Sequence, residues 1–215
     1  TPTSAPCPAI KPVVVTFNVP PTLLITDPPA VCDPNTVNIT DLLVTTGSDP
    51  GTLSYWQDAN ATVPLTTPNA IKVSGTYYIK LTSAAGCISI KPVKVNTNSL
   101  PNSLAGPDVT ICSGVTTASI GSAPVNGYTY EWSPVSGLTN PNIANPGITT
   151  TNNGTTPIKT TYTLTTIVAA TGCKATDNVD VIVNPQPVLI ITDPAPVCTP
   201  SKVDIANPAV TINST

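Results

Sequence analysis

The chain has 215 residues, a formal net charge of −3 and 9% charged side chains, and it contains no histidine and no methionine. Without histidine the commonest general base is missing. Without a basic cluster a nucleic-acid partner is not expected. No stretch approaches 18 apolar residues, so the sequence predicts no membrane-spanning segment. We therefore predict a protein that is not an enzyme and binds no cofactor.

Two stretches recur along the chain at fixed offsets. "CPAIKPVVV" at 7–15 returns as "CISIKPVKV" at 87–95, and "LLITDPPAVCDPNTVNI" at 23–39 returns as "LIITDPAPVCTPSKVDI" at 189–205. Self-similarity at a fixed offset indicates tandem repeats. The chain is therefore predicted to be a window from a longer repeat protein. Its predicted parts are the last strand of a preceding repeat at 1–20, whole repeats at 21–98 and 99–185, and the beginning of a following repeat at 186–215.

The first whole repeat follows a predicted terminal strand at 9–19 and a Pro-Pro junction. Thr and Val favour strands, whereas Pro and Asn favour the turns between them. Alternation in "YYIKLT" at 77–82 is typical of a half-buried antiparallel strand. The strands predicted in this repeat are 22–26, 36–40, 53–57, 70–74, 75–83 and 88–96.

The second whole repeat shows the same alternation of short predicted strands and turn signals. Its predicted strands are 108–112, 116–121, 128–134, 147–151, 160–170 and 178–184. Six or seven short strands per repeat predict an all-β fold of tandem immunoglobulin-like β-sandwiches. Short proline-containing junctions stiffen the chain and favour an extended rod. The aromatic residues predicted in the two cores are Trp56, Tyr78, Trp132 and Tyr162.

Six cysteines allow fifteen disulfide connectivities, and the repeats narrow the choice. One pair brackets each whole repeat, which predicts the disulfides Cys32–Cys87 and Cys112–Cys173, each pinning one end of its sandwich. Cys7 matches Cys87 and Cys198 matches Cys32, so these two half-cystines are predicted to pair outside the 215 residues. Such disulfides indicate an oxidising, extracellular setting. The sequence has no C-x-x-C spacing that would favour zinc instead.

Three stretches carry a family resemblance: "AGPDVTICSG" at 105–114, "YTYEWSPVSGLTNPNIANPGITT" at 128–150 and "TTYTLTTIVAATGCKATDNVDVIVNP" at 160–185. They resemble the Ig-like and PKD-like repeats of large secreted cell-surface adhesins of Bacteroidota, including gliding-motility adhesins. "GTYYIKLTSAAGCISIKPVKVN" at 75–96 looks like a second repeat type from the same proteins. The resemblance implies export by type IX secretion and a place on the cell surface, and it leaves the ligand open.

The isolated polar side chains of the sequence favour structural roles over functional sites. Glu131 stands alone on a strand, whereas a glycosidase needs two carboxylates facing one bond. Calcium needs six to eight oxygens, but the junction aspartates are single; they are Asp27, Asp33, Asp108 and Asp193. An isopeptide cross-link from Lys80 or Lys94 would need a matching buried acid.

The aromatic residues leave a second function open. An exposed row could stack on sugars, whereas buried rings would serve the core; the residues concerned are Tyr55, Trp56, Tyr77, Tyr78, Tyr128, Tyr130 and Trp132.

The sequence thus leaves three functional hypotheses. The first is a disulfide-stapled mechanical stalk in a bacterial adhesin or filament, whose partners are neighbouring repeats and a surface polysaccharide or another cell. The second is a carbohydrate-binding or spacer module of a secreted polysaccharide-degrading enzyme, which exposed aromatic residues would favour. The third is a subunit of a filament completed by strand exchange between chains.

Overall fold

The computed structural model describes residues 10–115, 117–187, 196–199 and 201–202. The chain divides into two compact units, Thr1–Ser99 and Leu100–Thr215. The described residues contain no α-helix and one short 3-10 helix at Leu42–Thr45. None of the helical structure they form is long and apolar enough to cross a membrane. The predicted all-β, immunoglobulin-like fold is confirmed.

Unit 1 is built on a three-stranded antiparallel sheet. Its strands, in the order β2-β3-β4, are Thr52–Trp56, Gly75–Thr82 and Ile88–Val95. Two shorter strands, β1 at Val31–Cys32 and β5 at Thr97–Asn98, pair in parallel, with Cys32 opposite Asn98. The first segment of the unit therefore runs alongside the last, in the same direction.

The core of unit 1 lies between this sheet and a second, less regular layer. The sheet contributes alternate residues, among them Ile79 and Val93, which are both fully buried. The facing layer is held by an isolated bridge between Val37 and Ile71. Burying alternate residues on one face leaves the intervening residues on the outer face of the sheet. The core comprises Leu23, Val37, Ile39, Val44, Ile71, Ile79, Leu81, Val93 and Val95.

Unit 2 repeats the plan with longer strands. Its sheet has the order β6-β9-β8-β7, in which β6 runs parallel to β9 and the other pairs are antiparallel. The strands are β6 Val109–Cys112, β7 Tyr128–Ser133, β8 Ile158–Val168 and β9 Lys174–Asn184. The facing layer is held by the bridges Ser119–Gly147 and Leu138–Ile148.

The core of unit 2 contains two aromatic side chains whose polar atoms have partners. The Trp132 indole N–H donates to the Ile143 carbonyl at 2.9 Å, and the Tyr162 hydroxyl donates to the Ser136 carbonyl at 2.9 Å. Buried aromatic side chains with satisfied polar tips stabilise a core without leaving an unmet hydrogen bond. The other core residues are Ala105, Ile120, Leu138, Ile148, Leu164, Val179, Val181 and Val183.

The long strands agree with the predicted ones to within a few residues, but the facing layers are less regular than predicted. The segments 36–40, 70–74, 116–121 and 147–151 contribute isolated bridges instead of strands. No strand is formed between residues 10 and 30, which includes the described part of the predicted strand at 9–19. Most of the predicted partial repeat at 186–215 lies outside the described residues.

Candidate functional site

The two aromatic residues predicted in the core of unit 1 lie on the opposite face of its sheet. Tyr55 and Tyr77 pack against the core, whereas Trp56 and Tyr78, one residue further along each strand, are half-buried and outside it. The prediction for Trp56 and Tyr78 was therefore wrong. Successive residues of a strand point to opposite faces, so the adjacent pair Tyr55-Trp56 cannot both point inward.

Trp56 and Tyr78 are direct cross-strand neighbours and begin an aromatic surface. They face each other in the β2–β3 register, and Tyr78 faces Pro92 in the β3–β4 register. The Lys80 ammonium lies 5.7 Å from the centroid of the Trp56 ring. The Trp56 indole N–H donates to Ser54 Oγ at 2.9 Å. We call these five residues, Ser54, Trp56, Tyr78, Lys80 and Pro92, the outer-face patch.

The loop that follows β2 is held beside this patch by one carboxylate. Asp58 accepts hydrogen bonds from the backbone N–H groups of Asn60, Thr62 and Val63, at 2.7–3.2 Å. These bonds, the one from Val63 foremost, lower the pKa of the Asp58 carboxyl, because they favour its charged form. An isolated bridge between Trp56 and Pro64 returns the loop to the strand. The loop beside the outer-face patch is therefore held in one conformation by these hydrogen bonds.

The corresponding face of unit 2 carries no aromatic side chain among the described residues. Trp132 is 3% exposed and Tyr162 is 1% exposed, in the core where the sequence placed them. Tyr130 and Trp132 are two residues apart, so both point inward, and Glu131 between them points outward. The spacing of Tyr and Trp, adjacent in one repeat and separated by one residue in the other, is a sequence signal that could have predicted this difference.

The outer-face patch combines aromatic rings with hydrogen-bond donors. Trp56 and Tyr78 offer apolar rings, and the Tyr78 hydroxyl and the Lys80 ammonium, which lies over the Trp56 ring, offer hydrogen-bond donors. Lys80 also has a structural role, because a cation over a tryptophan ring contributes about 0.5–1 kcal/mol at an exposed site. Lys80 lies over the Trp56 ring, so an isopeptide cross-link from Lys80, which the sequence did not favour, gains no support.

The predicted disulfide Cys32–Cys87 is not formed. Cys87 is a free thiol in the turn before β4, and its Sγ lies 3.6 Å from the Asn18 carbonyl. Cys32 lies opposite Asn98, beyond the other end of β4. Eleven residue steps of nearly continuous strand separate position 87 from position 98, about 36 Å at 3.3 Å per residue. A disulfide needs Cα atoms within about 7 Å, so the sheet keeps these cysteines apart.

The predicted disulfide Cys112–Cys173 fails for the same reason. Cys112 is a free, exposed thiol opposite Asn184, the last residue of β9. Cys173 immediately precedes β9, so the full length of that strand, about 36 Å, lies between them. Cys32 and Cys173 are each in disulfide linkage. Cys198 is a free, exposed thiol, and Cys7 lies outside the described residues.

The junction aspartates considered for calcium hold the first segment of each unit to its last strand. Asp27 Oδ1 accepts from the Lys94 backbone N–H at 2.8 Å, and Asp108 Oδ1 accepts from the Asp180 backbone N–H at 2.9 Å. Asp33 is exposed, and Asp193 lies outside the described residues. Over the described part of the chain, no group of three His, Cys, Asp or Glu side chains could hold a metal ion.

Equivalent aspartates in the two units are a feature that sequence reasoning missed. Lys94 and Asp180 each lie four residues before the asparagine that faces the first cysteine of the unit, namely Asn98 or Asn184. The bond from the aspartate thus fixes the register of the parallel pair in both units. The recurrence of an aspartate four or five residues before that cysteine was the available sequence signal.

The chain matches no profile of a known protein family, and no curated protein matches it. Several solved structures are similar to it at low identity and with TM-scores below 0.5. The extracellular domains 3–5 of Drosophila OTK are 14% identical with a TM-score of 0.41, over 77% of this chain and 62% of that one. DIP-gamma IG1+IG2 is 10% identical with a TM-score of 0.37, over 77% and 98%. Titin domains z1z2, from a complex with telethonin, are 11% identical with a TM-score of 0.31, over 80% and 100%.

Proposed function

We propose that this chain is a segment of the tandem-repeat stalk of an extracellular, surface-attached adhesin or filament, and that it has no catalytic role. One observation supports the proposal most. In each unit the first segment runs parallel to the last strand, so the chain enters at one end of the sandwich and leaves at the other. We call these ends the N-terminal pole and the C-terminal pole. A repeat built in this way adds its full length to a chain of repeats.

The hydrogen bonds of each unit locate the N-terminal pole independently. In unit 1, Asn18 lies against Cys87, the residue before β4. In unit 2, the Ser103 hydroxyl lies 3.1 Å from that of Thr166, whose strand partner, Ala175, is two residues after Cys173. Both units therefore begin beside their second cysteine and end beside their first. The same polarity in two units is what a stalk of repeats requires.

The disulfide-bonded cysteines Cys32 and Cys173 support an extracellular location, since structural disulfides persist in oxidising compartments. The resemblance to Bacteroidota adhesins extends the proposal to a surface protein exported by type IX secretion. Its partners would be neighbouring repeats and, at a distal tip, a surface polysaccharide or another cell.

Small-angle X-ray scattering of the 215-residue protein tests the proposed stalk. A compact globule of this length has a radius of gyration of about 17 Å. Two sandwiches about 36 Å long placed end to end give a radius of about 22–25 Å. The larger value, at a mass matching one chain, is the expected result. A value near 17 Å would refute the stalk, and a mass that rises with concentration would favour assembly by strand exchange instead.

A second function, carbohydrate binding, is favoured by the outer-face patch of unit 1. Trp56 and Tyr78 lie side by side on the outer face of the sheet, where a core role does not account for them. We propose that this patch stacks on the apolar faces of sugar rings in a neutral polysaccharide. Such a surface would suit either an adhesin or the spacer module of a secreted polysaccharide-degrading enzyme.

Affinity electrophoresis through gels containing soluble glucan, mannan or xylan tests this second function. We expect retardation in at least one polysaccharide, lost in the variant Trp56→Ala and kept in the variant Trp132→Phe, which changes a core residue of the other unit. Equal migration of all three proteins in every gel would refute carbohydrate binding by the patch and would leave the stalk proposal untouched.

A further inference from the structure

We propose that unit 1 binds a primary aliphatic ammonium, such as a free amine or the end of a lysine side chain, in a cavity separate from the outer-face patch. The cavity has a volume of about 410 Å³, within the range of about 300–1,000 Å³ that is typical of small-molecule sites. Its lining is mainly apolar and includes two aspartate side chains, Asp27 and Asp41. This site is independent of the proposed stalk and of the proposed sugar-binding surface.

The cavity lies where two prolines keep the first segment of unit 1 from pairing along its whole length. The Thr26 N–H donates to the Val44 carbonyl at 2.9 Å, and the next strand of this segment, β1, begins at Val31. Pro28 and Pro29 between these points have no N–H to donate. The segment therefore leaves a gap beside the 3-10 helix, and the cavity occupies that gap.

The inner surface of the cavity is apolar and belongs to the core of unit 1. Val37 and Val44 are each 3% exposed, whereas Leu43, which also lines the cavity, is 74% exposed and marks its opening. Water in such a space finds few groups to hydrogen-bond. A hydrocarbon chain that replaces this water gains free energy in proportion to the apolar area that it covers. The cavity therefore favours a ligand with an aliphatic stem.

The two carboxylates make a cation the favoured charge for that ligand. Asp27 Oδ1 accepts from the Lys94 backbone N–H at 2.8 Å, and Asp41 Oδ1 accepts from the Leu43 backbone N–H at 3.0 Å. The second oxygen of each carboxylate has no hydrogen-bond partner within the described part of the chain. No lysine ammonium among those residues pairs with either carboxylate. Both negative charges therefore remain available to a ligand.

The chemistry of the lining residues narrows this cation to a primary ammonium. A calcium ion needs six to eight oxygens, whereas the described residues include no group of three His, Cys, Asp or Glu side chains that could hold a metal. A quaternary ammonium is recognised by aromatic rings, and none of the described lining residues is aromatic. A primary ammonium needs hydrogen-bond acceptors, which the second oxygens of Asp27 and Asp41 supply.

Titration of the isotope-labelled protein, followed by heteronuclear NMR, compares three ligands that share one stem: hexylamine, hexanol and hexanoate. At neutral pH the first is a cation, the second is uncharged and the third is an anion. The backbone amides of Val37, Leu43 and Val44 report on the cavity, and buffers of equal ionic strength keep the screening of charge constant. We expect saturable shifts at these amides. Hexylamine should bind about two- to fivefold more tightly than hexanol, and hexanoate should bind most weakly.

Two substitutions remove the negative charges and keep the hydrogen bonds. In Asp27→Asn the amide oxygen can still accept from the Lys94 N–H, and in Asp41→Asn the new residue is as good an N-cap as aspartate. We expect the double variant to bind hexylamine no more tightly than hexanol, and to bind hexanol unchanged. Asp33→Asn is the matched control, because Asp33 is exposed in the same unit but does not line the cavity. It should change neither affinity.

Equal binding of hexylamine and hexanol to the unsubstituted protein would overturn the proposal. So would the absence of saturable shifts at the three amides with every ligand, and neither result depends on the folding of a variant. Nα-acetyl-lysine methylamide then distinguishes the two sources of the ammonium. If it binds more tightly than hexylamine, the site takes the lysine side chain of another polypeptide; if it binds more weakly, the site takes a free amine.

Discussion

Removing one hydroxyl from Tyr162 should destabilise unit 2, whereas removing one from Tyr78 should leave unit 1 unchanged. Tyr162 is 1% exposed, and its hydroxyl donates to the Ser136 carbonyl at 2.9 Å. The variant Tyr162→Phe keeps the ring and leaves that carbonyl without its donor, which costs about 1–2 kcal/mol. For a domain of this size each kcal/mol lowers Tm by about 4–8 °C.

The variant Tyr78→Phe is the matched control, because it makes the same chemical change on the outer face. The Tyr78 hydroxyl makes no hydrogen bond to the described part of the protein, so we expect its loss to change stability by less than about 0.5 kcal/mol. Thermal unfolding followed by fluorescence of Trp132, in a Trp56→Phe background, measures unit 2 alone. Circular dichroism follows both units. An unchanged Tm for Tyr162→Phe, or an equal loss for Tyr78→Phe, would refute the assignment of core and outer faces.

Three further predictions concern single side chains. Trp132→Ala should cost about 3–5 kcal/mol in urea unfolding, and more than Trp56→Ala; the reverse order would contradict the two placements. The pKa of the Asp58 carboxyl is lowered in the folded protein. The stability that its hydrogen bonds contribute should therefore be present above the ordinary pKa of 3.8 and be lost as the pH falls through the lower pKa of the folded state. Trp56 fluorescence should follow that loss, and Asp58→Asn should abolish the pH response. Asp108→Ala should cost about 1 kcal/mol, measured by unfolding; no loss would show that the parallel pair keeps its register without it.

The sequence predicted the long strands and the buried pair of unit 2 because their signals are local. Alternation along β8 and β9 identifies one apolar face, and Trp132 and Tyr162 belong to it. The facing layers were harder to predict, since prolines and asparagines break their strands into isolated bridges. The burial of Trp56 was predicted wrongly because aromatic character alone does not show which face of a strand a residue occupies. Trp56 directly follows Tyr55, so only one of the two can point into the core.

The cysteine pairing could not be predicted because it depends on strand direction, which no local pattern records. If the first strand of a repeat ran antiparallel to the last, its cysteine would lie at the same end as the second cysteine, and a disulfide within the repeat would be possible. The observed parallel pairs, β1 with β5 and β6 with β9, place it at the opposite end. The same direction makes the chain leave each sandwich at the pole opposite to the one where it begins. The opposed cysteines and the suitability of the repeat for a stalk therefore have one geometric cause, and a reversed first strand would abolish both.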